Sequence, residues 1–260
     1  MQDIEFADQP PMEGTMRYLF AVFAVLAVLS SCHMPPGINA QREGDMFRKN
    51  YEYKNAIASY RTALEQDSSL TKAYLGIGYC QIELMDFADA ETTYGQLLAR
   101  QPRNEQALYR LGQLNLHREN YQDAVGFFRQ ALSVNPGFAD SHYQLGLAHG
   151  RMKNYPEAIG EFRAAVEINP RFVDAWYTMG NILTRLKQRD KALEVYSRVL
   201  QLDSEHLMAL YMSGDCFYSL GRYKEAVRMF ERTLKVNYGY TAAHTSLKKS
   251  REKLEASSGK

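Results

Sequence analysis

Two histidines come nearest to the type and spacing of a catalytic or metal-binding pair. His142 and His149 lie seven residues apart in a segment with a helical pattern. Seven residues of helix separate two side chains by about 10 Å along the axis, which is too far for one metal ion without further ligands. The sequence therefore favours packing roles for both histidines, and it predicts neither a metal site nor a cofactor.

Gly76 and Gly78 form the second motif associated with chemistry, because a Gly-x-Gly turn can cradle a phosphate group. Such a turn follows a strand and opens a helix, whereas these two glycines lie inside a predicted helix. No arrangement typical of a catalytic site occurs elsewhere in the sequence. We therefore predict that the protein is not an enzyme.

A third reactive residue, Cys32, follows a hydrophobic run near the start of the chain. The run from Tyr18 to Leu29 has twelve residues, a length typical of signal peptides and short of the roughly 20 residues that span a membrane. Residues 29–32, Leu-Ser-Ser-Cys, resemble the lipobox of bacterial lipoproteins, whose cysteine is lipidated and becomes the first residue after cleavage. The alternatives are an uncleaved anchor, or an ordinary signal peptide with an incidental cysteine.

The segment before this run lacks the positive charge that a signal peptide needs. It carries no basic residue and four acidic ones: Asp3, Glu5, Asp8 and Glu13. A start at Met16 would give a positive segment through Arg17. We therefore expect 1–15 to be an overextended gene start, 16–31 a lipoprotein signal peptide, and 32–38 the lipidated cysteine and a tether.

A period of 34 residues organises the rest of the chain. Glycines recur at this spacing: Gly44, Gly78, Gly112, Gly146, Gly180 and Gly214. An alanine stands twelve residues after each glycine, beginning with Ala56, and an aromatic residue follows four further on. These aromatics are Tyr60, Tyr94, Phe128, Phe162, Tyr196 and Phe230. The pattern resembles the tetratricopeptide repeat (TPR) family, whose unit is a 34-residue helix–turn–helix.

This resemblance implies an all-α fold, a right-handed superhelical solenoid of six TPR units over residues 39–240. The expected repeats are 37–70, 71–104, 105–138, 139–172, 173–206 and 207–240. Glycine and alanine let paired helices approach closely, and the aromatic residue fills the space between them. Lys248 stands at the next glycine position, so we expect 241–256 to form a capping helix.

The same period separates Cys80 from Cys216 by four repeats. A disulfide needs Cα atoms within about 7 Å, so the expected solenoid keeps the two thiols apart. We predict that each is a small buried apolar residue.

The charge of the chain excludes a strongly basic, nucleic-acid-binding protein. The whole chain has 31 basic and 30 acidic residues, of which residues 1–31 hold one basic and four acidic residues. Residues 32–260 carry 30 basic and 26 acidic residues. This mild excess of positive charge predicts no nucleic-acid partner.

In TPR proteins the first helix of each repeat lines a concave groove, and the resemblance places a ladder of tyrosines there. The predicted partner-binding residues are Lys72, Leu75, Tyr79, Tyr109, Gln113, Tyr143, Arg151, Tyr177, Asn181, Arg185, Tyr211, Asp215 and Tyr218. Tyrosine suits peptide contacts, although tyrosine is also common at this site across the family for generic reasons. Asp140 and Asp174 also stand among the groove positions, and with Asp215 they balance the three predicted cations. This balance argues against a purely anionic or cationic ligand.

These inferences predict a membrane-anchored scaffold or adaptor of the bacterial cell envelope that binds proteins or peptide segments through its groove. Since histidine rather than aspartate follows Cys32, the aspartate retention rule predicts the outer membrane, facing the periplasm. One alternative is a pilotin-type lipoprotein that assists assembly of a type IV pilus secretin. Another is an accessory module that regulates a cell-wall or glycosyl transferase enzyme. Homo-oligomerisation through the first repeat stays open.

Overall fold

A computed structural model describes residue 35 and residues 37–258. Within this part of the chain all regular structure is helical, and no strand occurs. The helices are α1 (Ile38–Lys49), α2 (Tyr53–Gln66), α3 (Thr71–Glu83), α4 (Phe87–Arg100), α5 (Glu105–His117), α6 (Tyr121–Val134), α7 (Ala139–Arg151), α8 (Tyr155–Ile168), α9 (Val173–Arg185), α10 (Arg189–Leu202), α11 (Leu207–Ser219), α12 (Tyr223–Val236) and α13 (Thr241–Ser258). The all-helical fold is the one that the sequence predicts.

Each predicted 34-residue range contains two of these helices, and the predicted capping helix corresponds to α13. Cys32 and the segments 1–15 and 16–31 lie outside the described residues, as does most of the tether 32–38. None of the described helices is both long and apolar enough to cross a membrane. The chain divides into two compact units, Met1–Thr93 and Tyr94–Lys260, with the division inside α4.

The core of the first unit surrounds the ring of Tyr60 on α2, which is fully buried. A Cβ atom at Gly44 of α1 would lie 2.6 Å from this ring, and one at Gly76 of α3 would lie 2.5 Å from it. No larger residue fits at either position without displacing the tyrosine. Cys80 is a free, buried thiol in the same core, and its burial raises its pKa to about 11.

Consecutive helices of the second unit, from α5 to α13, pack against one another. Each of its four helix pairs places a glycine of the first helix against the aromatic ring of the second. The distances from an added Cβ to the nearest ring atom are 2.5 Å for Gly112–Phe128, 2.8 Å for Gly146–Phe162, 2.5 Å for Gly180–Tyr196 and 2.6 Å for Gly214–Phe230. The 34-residue spacing of glycine and aromatic residues is therefore explained by close helix packing.

The turn inside each helix pair needs a residue with positive φ. Five of these turns use a residue other than glycine: Tyr51, Met85, Glu119, Lys153 and Lys187, with φ between 61° and 66°. Gly221 takes this place in the last pair, with φ of 75°. The sequence does not predict these positions, because side chains only rarely adopt this conformation.

At three of the turns between helix pairs, a side chain from the following helix bonds a backbone carbonyl. Trp176 Nε1 donates to the Pro170 carbonyl at 3.0 Å. Two histidine rings stand at matching positions, His142 Nε2 at 3.2 Å from the Pro136 carbonyl and His244 Nε2 at 2.7 Å from the Tyr238 carbonyl. The matching position of α11 holds Leu210, whose side chain has no hydrogen-bond donor. There Arg232 of α12 donates to the Ser204 carbonyl at 3.0 Å instead.

Helix α13 closes the second unit, with Ala243 and Leu247 buried in its contact with α12. An ion pair joins Arg251 to Glu231 of α12 at 2.7 Å. The helix extends to Ser258, two residues beyond the predicted end.

Candidate functional site

Two adjoining cavities lie on the second unit. The first has a volume of about 370 Å³ and is lined by Gln113, Leu116, His117, Glu119, Tyr121, Gln144, Leu147 and Arg151. The second has a volume of about 400 Å³ and is lined by Leu147, Gly150, Arg151, Lys153, Tyr155, Phe162, Thr178, Asn181, Ile182 and Arg185. We name them the His117 cavity and the arginine cavity. Because they share Leu147 and Arg151, they form one continuous surface.

Three first helices, α5, α7 and α9, supply most of this surface from matching repeat positions. One position contributes Gln113, Leu147 and Asn181, and another contributes His117, Arg151 and Arg185. Each set recurs at a spacing of 34 residues. Four of the predicted partner-binding residues therefore lie together: Gln113, Arg151, Asn181 and Arg185.

The buried hydroxyl of Tyr196 orients the side chain of Asn181 from the core side. Tyr196 of α10 is fully buried, and its hydroxyl donates to Asn181 Oδ1 at 2.8 Å. Thr184 Oγ1 lies 3.1 Å from the same hydroxyl. Burial raises the pKa of Tyr196 above its ordinary value, so the hydroxyl stays protonated. This bond fixes the orientation of the Asn181 amide, whose two N–H groups are donors.

The charges of the groove are not balanced locally, although they balance along the whole predicted groove when Asp140 and Asp174 are counted. Arg151, Lys153 and Arg185 are exposed at the arginine cavity. No acidic residue lines this cavity. The acidic members of the predicted groove lie elsewhere, and the His117 cavity has Glu119 on its wall. Balance across the sequence therefore hides a positive region.

The four tyrosines of the predicted ladder pack inside the helix stack. Each ring lies near the aromatic residue of its own pair's second helix, at centroid distances of 5.9 Å for Tyr109–Phe128, 5.7 Å for Tyr143–Phe162, 6.2 Å for Tyr177–Tyr196 and 5.7 Å for Tyr211–Phe230. Each also contacts a ring just before the next helix, at 4.9 Å for Tyr109–Phe138, 4.9 Å for Tyr143–Phe172, 5.0 Å for Tyr177–His206 and 5.2 Å for Tyr211–Tyr240.

This packing leaves Tyr109 only 8% exposed and the other three tyrosines half-buried. None of the four lines either cavity. Burial raises the pKa of Tyr109 and of Tyr143. The geometry assigns these rings first to packing between successive helix pairs.

The other predicted groove residues lie away from the two cavities. In the first unit, Lys72 is exposed and Leu75 is half-buried. Tyr79 of that unit lies edge-on to Tyr53 at 6.4 Å. In the second unit, Asp215 is half-buried. Tyr218 contacts the ring of Tyr223 at 5.5 Å.

Several cavity residues are absent from the predicted set. Gln144 and Thr178 each follow a ladder tyrosine by one residue, and Tyr121 and Tyr155 each open a second helix. An aromatic residue recurs after the turn inside most helix pairs, and this recurrence could have identified Tyr121 and Tyr155 as groove residues. Lys153 gave no such signal, because its place on the cavity wall follows from the turn.

The two histidines on α7 belong to packing, as the sequence predicts. His142 Nδ1 lies 2.7 Å from Glu161 Oε2, and this hydrogen bond raises the pKa of His142. His149 is 5% exposed, and its burial lowers its pKa. Across the described residues, no cluster of three or more His, Cys, Asp or Glu side chains could hold a metal ion. Cys216 is a free, buried thiol.

Stacked helix pairs with a shared packing period define a helical-repeat protein. Models of the tetratricopeptide repeat match residues 81–142, 139–172 and 171–237. Together the matches run from residue 81 to residue 237, more than half of the 260 residues. The chain belongs to the tetratricopeptide repeat family.

Solved structures of TPR proteins resemble this chain in fold. Pseudomonas aeruginosa pilF matches with a TM-score of 0.69 and 17% identity, over 84% of this chain and 97% of pilF. YrrB, described as a TPR protein with an unusual peptide-binding site, matches with a TM-score of 0.62 and 21% identity, over 73% of this chain and 97% of YrrB. MamA matches with a TM-score of 0.60 and 24% identity, over 64% of this chain and 97% of MamA. No curated protein sequence matches significantly.

Proposed function

We propose that this protein is a non-catalytic scaffold that binds partner proteins or peptide segments along the surface formed by α5, α7 and α9. The observation that carries the proposal is the pair of adjoining cavities that share Leu147 and Arg151. A continuous concave surface with apolar and polar walls suits an extended segment of another chain. The peptide-binding site in the description of YrrB, a protein of the same fold, supports this use of the repeats.

A site-specific crosslink tests this function. A photo-crosslinking residue replaces Gln144, which lines the His117 cavity, and the captured protein is identified by mass spectrometry from living cells. The matched control replaces Arg163, which is exposed on α8 and lines neither cavity. We expect a defined protein to be captured from position 144 and not from position 163. Equal capture at the two positions would refute the groove as the working surface.

We also propose that the scaffold is a lipoprotein held through Cys32 at the outer membrane and facing the periplasm. The support is the order of hydrophobic run, small residues and cysteine at the front of the chain. Cys32→Ala is expected to move the protein from the membrane fraction to the soluble fraction. A variant that still sediments with membranes would contradict lipid anchoring.

A pilotin-type role in assembly of a type IV pilus secretin is the second candidate. The match to Pseudomonas aeruginosa pilF over 84% of this chain favours it, while at 17% identity the likeness concerns the fold alone. Capture of a secretin from position 144 would support the pilotin role. Capture of cell-wall enzymes would support a general adaptor, and capture of a single transferase would support an accessory module.

A further inference from the structure

Helix α12 carries an exposed row of cations, which we name the α12 basic face. Its members are Lys224, Arg228 and Lys235, four and seven residues apart. This spacing places the three side chains on one side of the helix, over about 17 Å of its axis. All three are exposed, and the buried residues of the helix lie on its other side.

The two acidic residues of α12 pair with arginines outside the α12 basic face. Glu225 accepts a hydrogen bond from Arg222 at 3.0 Å, and Glu231 forms an ion pair with Arg251 of α13 at 2.7 Å. Among the residues that the structure describes, no salt bridge involves a member of the α12 basic face. The positive charge of this face is therefore available to a partner.

The packing of the repeats does not account for this charge. The matching positions of α10 hold Asp190, Glu194 and Gln201. The matching positions of α8 hold no basic residue. Since α8 and α10 place their aromatic residues against a glycine as α12 does, a row of cations is not needed for this packing. The α12 basic face is therefore a feature of one helix and has a use outside the fold.

The α12 basic face suits a broad anionic surface better than a small anion. Its cations follow the axis of one helix, and they line neither of the two cavities described above. Such a row can contact several lipid headgroups at once, and each basic residue near an anionic membrane adds to the attraction. Tyr238, in the turn after α12, is 78% exposed, and tyrosine favours the boundary between membrane and water.

We propose that the α12 basic face docks on an anionic lipid surface, with Tyr238 at the boundary between headgroups and water. This contact goes beyond the scaffold function, because it uses no residue of either cavity. It complements the proposed anchor at Cys32, since a lipid chain and a basic surface together hold a protein on a membrane more firmly than either alone. The second attachment would also fix the orientation of α12 toward that membrane.

Partitioning into vesicles tests the proposal with the full-length chain that carries Cys32→Ala, which removes the proposed lipid anchor. Phosphatidylcholine vesicles measure what the rest of the chain contributes, and vesicles that also contain phosphatidylglycerol add negative charge. We expect the chain to partition at least about tenfold more strongly into the anionic vesicles. Raising the salt concentration should remove this preference.

Two variants of α12 locate the contact. Lys224→Gln combined with Arg228→Gln and Lys235→Gln should lose the preference for anionic vesicles. Lys224→Asp combined with Arg228→Glu and Lys235→Gln gives α12 the residues that α10 has at these positions, and this variant should bind anionic vesicles no better than neutral ones. Thermal melting of both variants checks that the fold is intact.

The control combines Arg163→Gln, Arg171→Gln and Lys191→Gln, which removes the same charge from exposed positions outside α12. It should keep the preference. Equal partition of the chain into both kinds of vesicle, or an equal loss in the control and the α12 variants, would overturn the membrane contact. Capture of a protein by a photo-crosslinking residue at position 228, without a preference for anionic vesicles, would assign this face to a protein partner instead.

The outcome is separable from the other proposals. Capture from position 144 is measured in a different experiment, so the scaffold function can stand if the membrane contact fails. Fractionation of cells that carry Cys32→Ala is repeated at high salt, which weakens a contact made by charge. Retention on membranes at low salt alone would support the α12 basic face, whereas release at both salt concentrations would contradict it.

Discussion

The neighbouring helix pairs α7–α8 and α9–α10 share one packing scheme and differ in the residue at its centre. Phe162 fills the first pair and Tyr196 the second, each against a glycine. The first helix of the α7–α8 pair carries Leu147 and Gly150, whereas the same positions of the α9–α10 pair hold the polar residues Asn181 and Thr184. The tyrosine hydroxyl is bonded to both of those polar residues.

The difference shows that one buried hydroxyl is matched by polar side chains on the groove surface. The first unit repeats the match, since the Tyr60 hydroxyl donates to Asp45 at 2.7 Å and accepts from Arg48 at 3.2 Å. A buried polar group without a partner costs about 1–3 kcal/mol. In these two pairs the core tyrosine is therefore accompanied by polar side chains on the first helix that bond its hydroxyl.

The largest effect should come from the feature that the two pairs share. Gly146→Val and Gly180→Val each force a side chain into the aromatic ring, because a Cβ would lie 2.8 Å and 2.5 Å from it. We expect each variant to lower the free energy of unfolding by about 3 kcal/mol, measured by urea denaturation.

Gly160 on α8 is the control, because a Cβ there would meet no atom within 4 Å. Gly160→Ala should raise the free energy of unfolding by about 0.5–1 kcal/mol through helix propensity. Unchanged stability in either valine variant would show that the close approach is not required.

An intermediate effect should separate the two pairs. Tyr196→Phe removes the hydroxyl that Asn181 and Thr184 share, and we expect a loss of about 1–2 kcal/mol in the free energy of unfolding. Adding Asn181→Leu gives this pair the Phe and Leu combination that the α7–α8 pair already has at the same positions. The double variant should therefore be less destabilised than the sum of the single variants, by about 1 kcal/mol. Additive losses would argue against the coupling.

The smallest effect concerns the position that holds His142 in one pair and Trp176 in the other. The pKa of His142 is raised by its hydrogen bond to Glu161. Its stabilising contribution is then fully present below the ordinary histidine pKa of about 6.5 and is lost as the pH rises through the raised value. His142→Gln should cost about 1 kcal/mol at pH 5.5 and less at pH 8.5.

Urea denaturation at the two pH values measures this difference. His149, whose pKa is lowered, has the opposite pH dependence but is present in both proteins, so it cancels. Trp176→Phe is the matched control and should show the same loss at both pH values, because an indole N–H does not titrate. A pH-independent loss for His142→Gln would contradict the charged hydrogen bond.

The sequence was sufficient for the fold because its signal comes from packing. Gly180 and Tyr196 are 16 residues apart in the sequence. They come into contact only when the two consecutive helices that carry them pack as a pair. The positive-φ turns at Tyr51 and Met85 were not predictable, because neither residue favours that conformation.

The surroundings of the predicted groove residues were harder to predict than the fold, because a side chain at one repeat position can face the groove or pack between helices. Tyr143 and Tyr177 stand at positions assigned to the groove by resemblance, yet their rings pack between helix pairs. The concentration of charge around Arg151 and Arg185 was also hidden, because a count of groove charges does not say which of them line the same cavity.

The carbonyl groups between helix pairs have a consequence for exchanging modules of this chain. Pro136, Pro170, Ser204 and Tyr238 each depend on a donor in the segment that follows: His142, Trp176, Arg232 and His244. Each of these carbonyls closes one 34-residue module, whereas its donor belongs to the next module. A module that is moved in front of a different neighbour would therefore keep the carbonyl and be separated from its present donor. Shuffled or lengthened arrays should therefore be joined with the donor and its carbonyl kept together, even where the donor stands at a different repeat position, as Arg232 does.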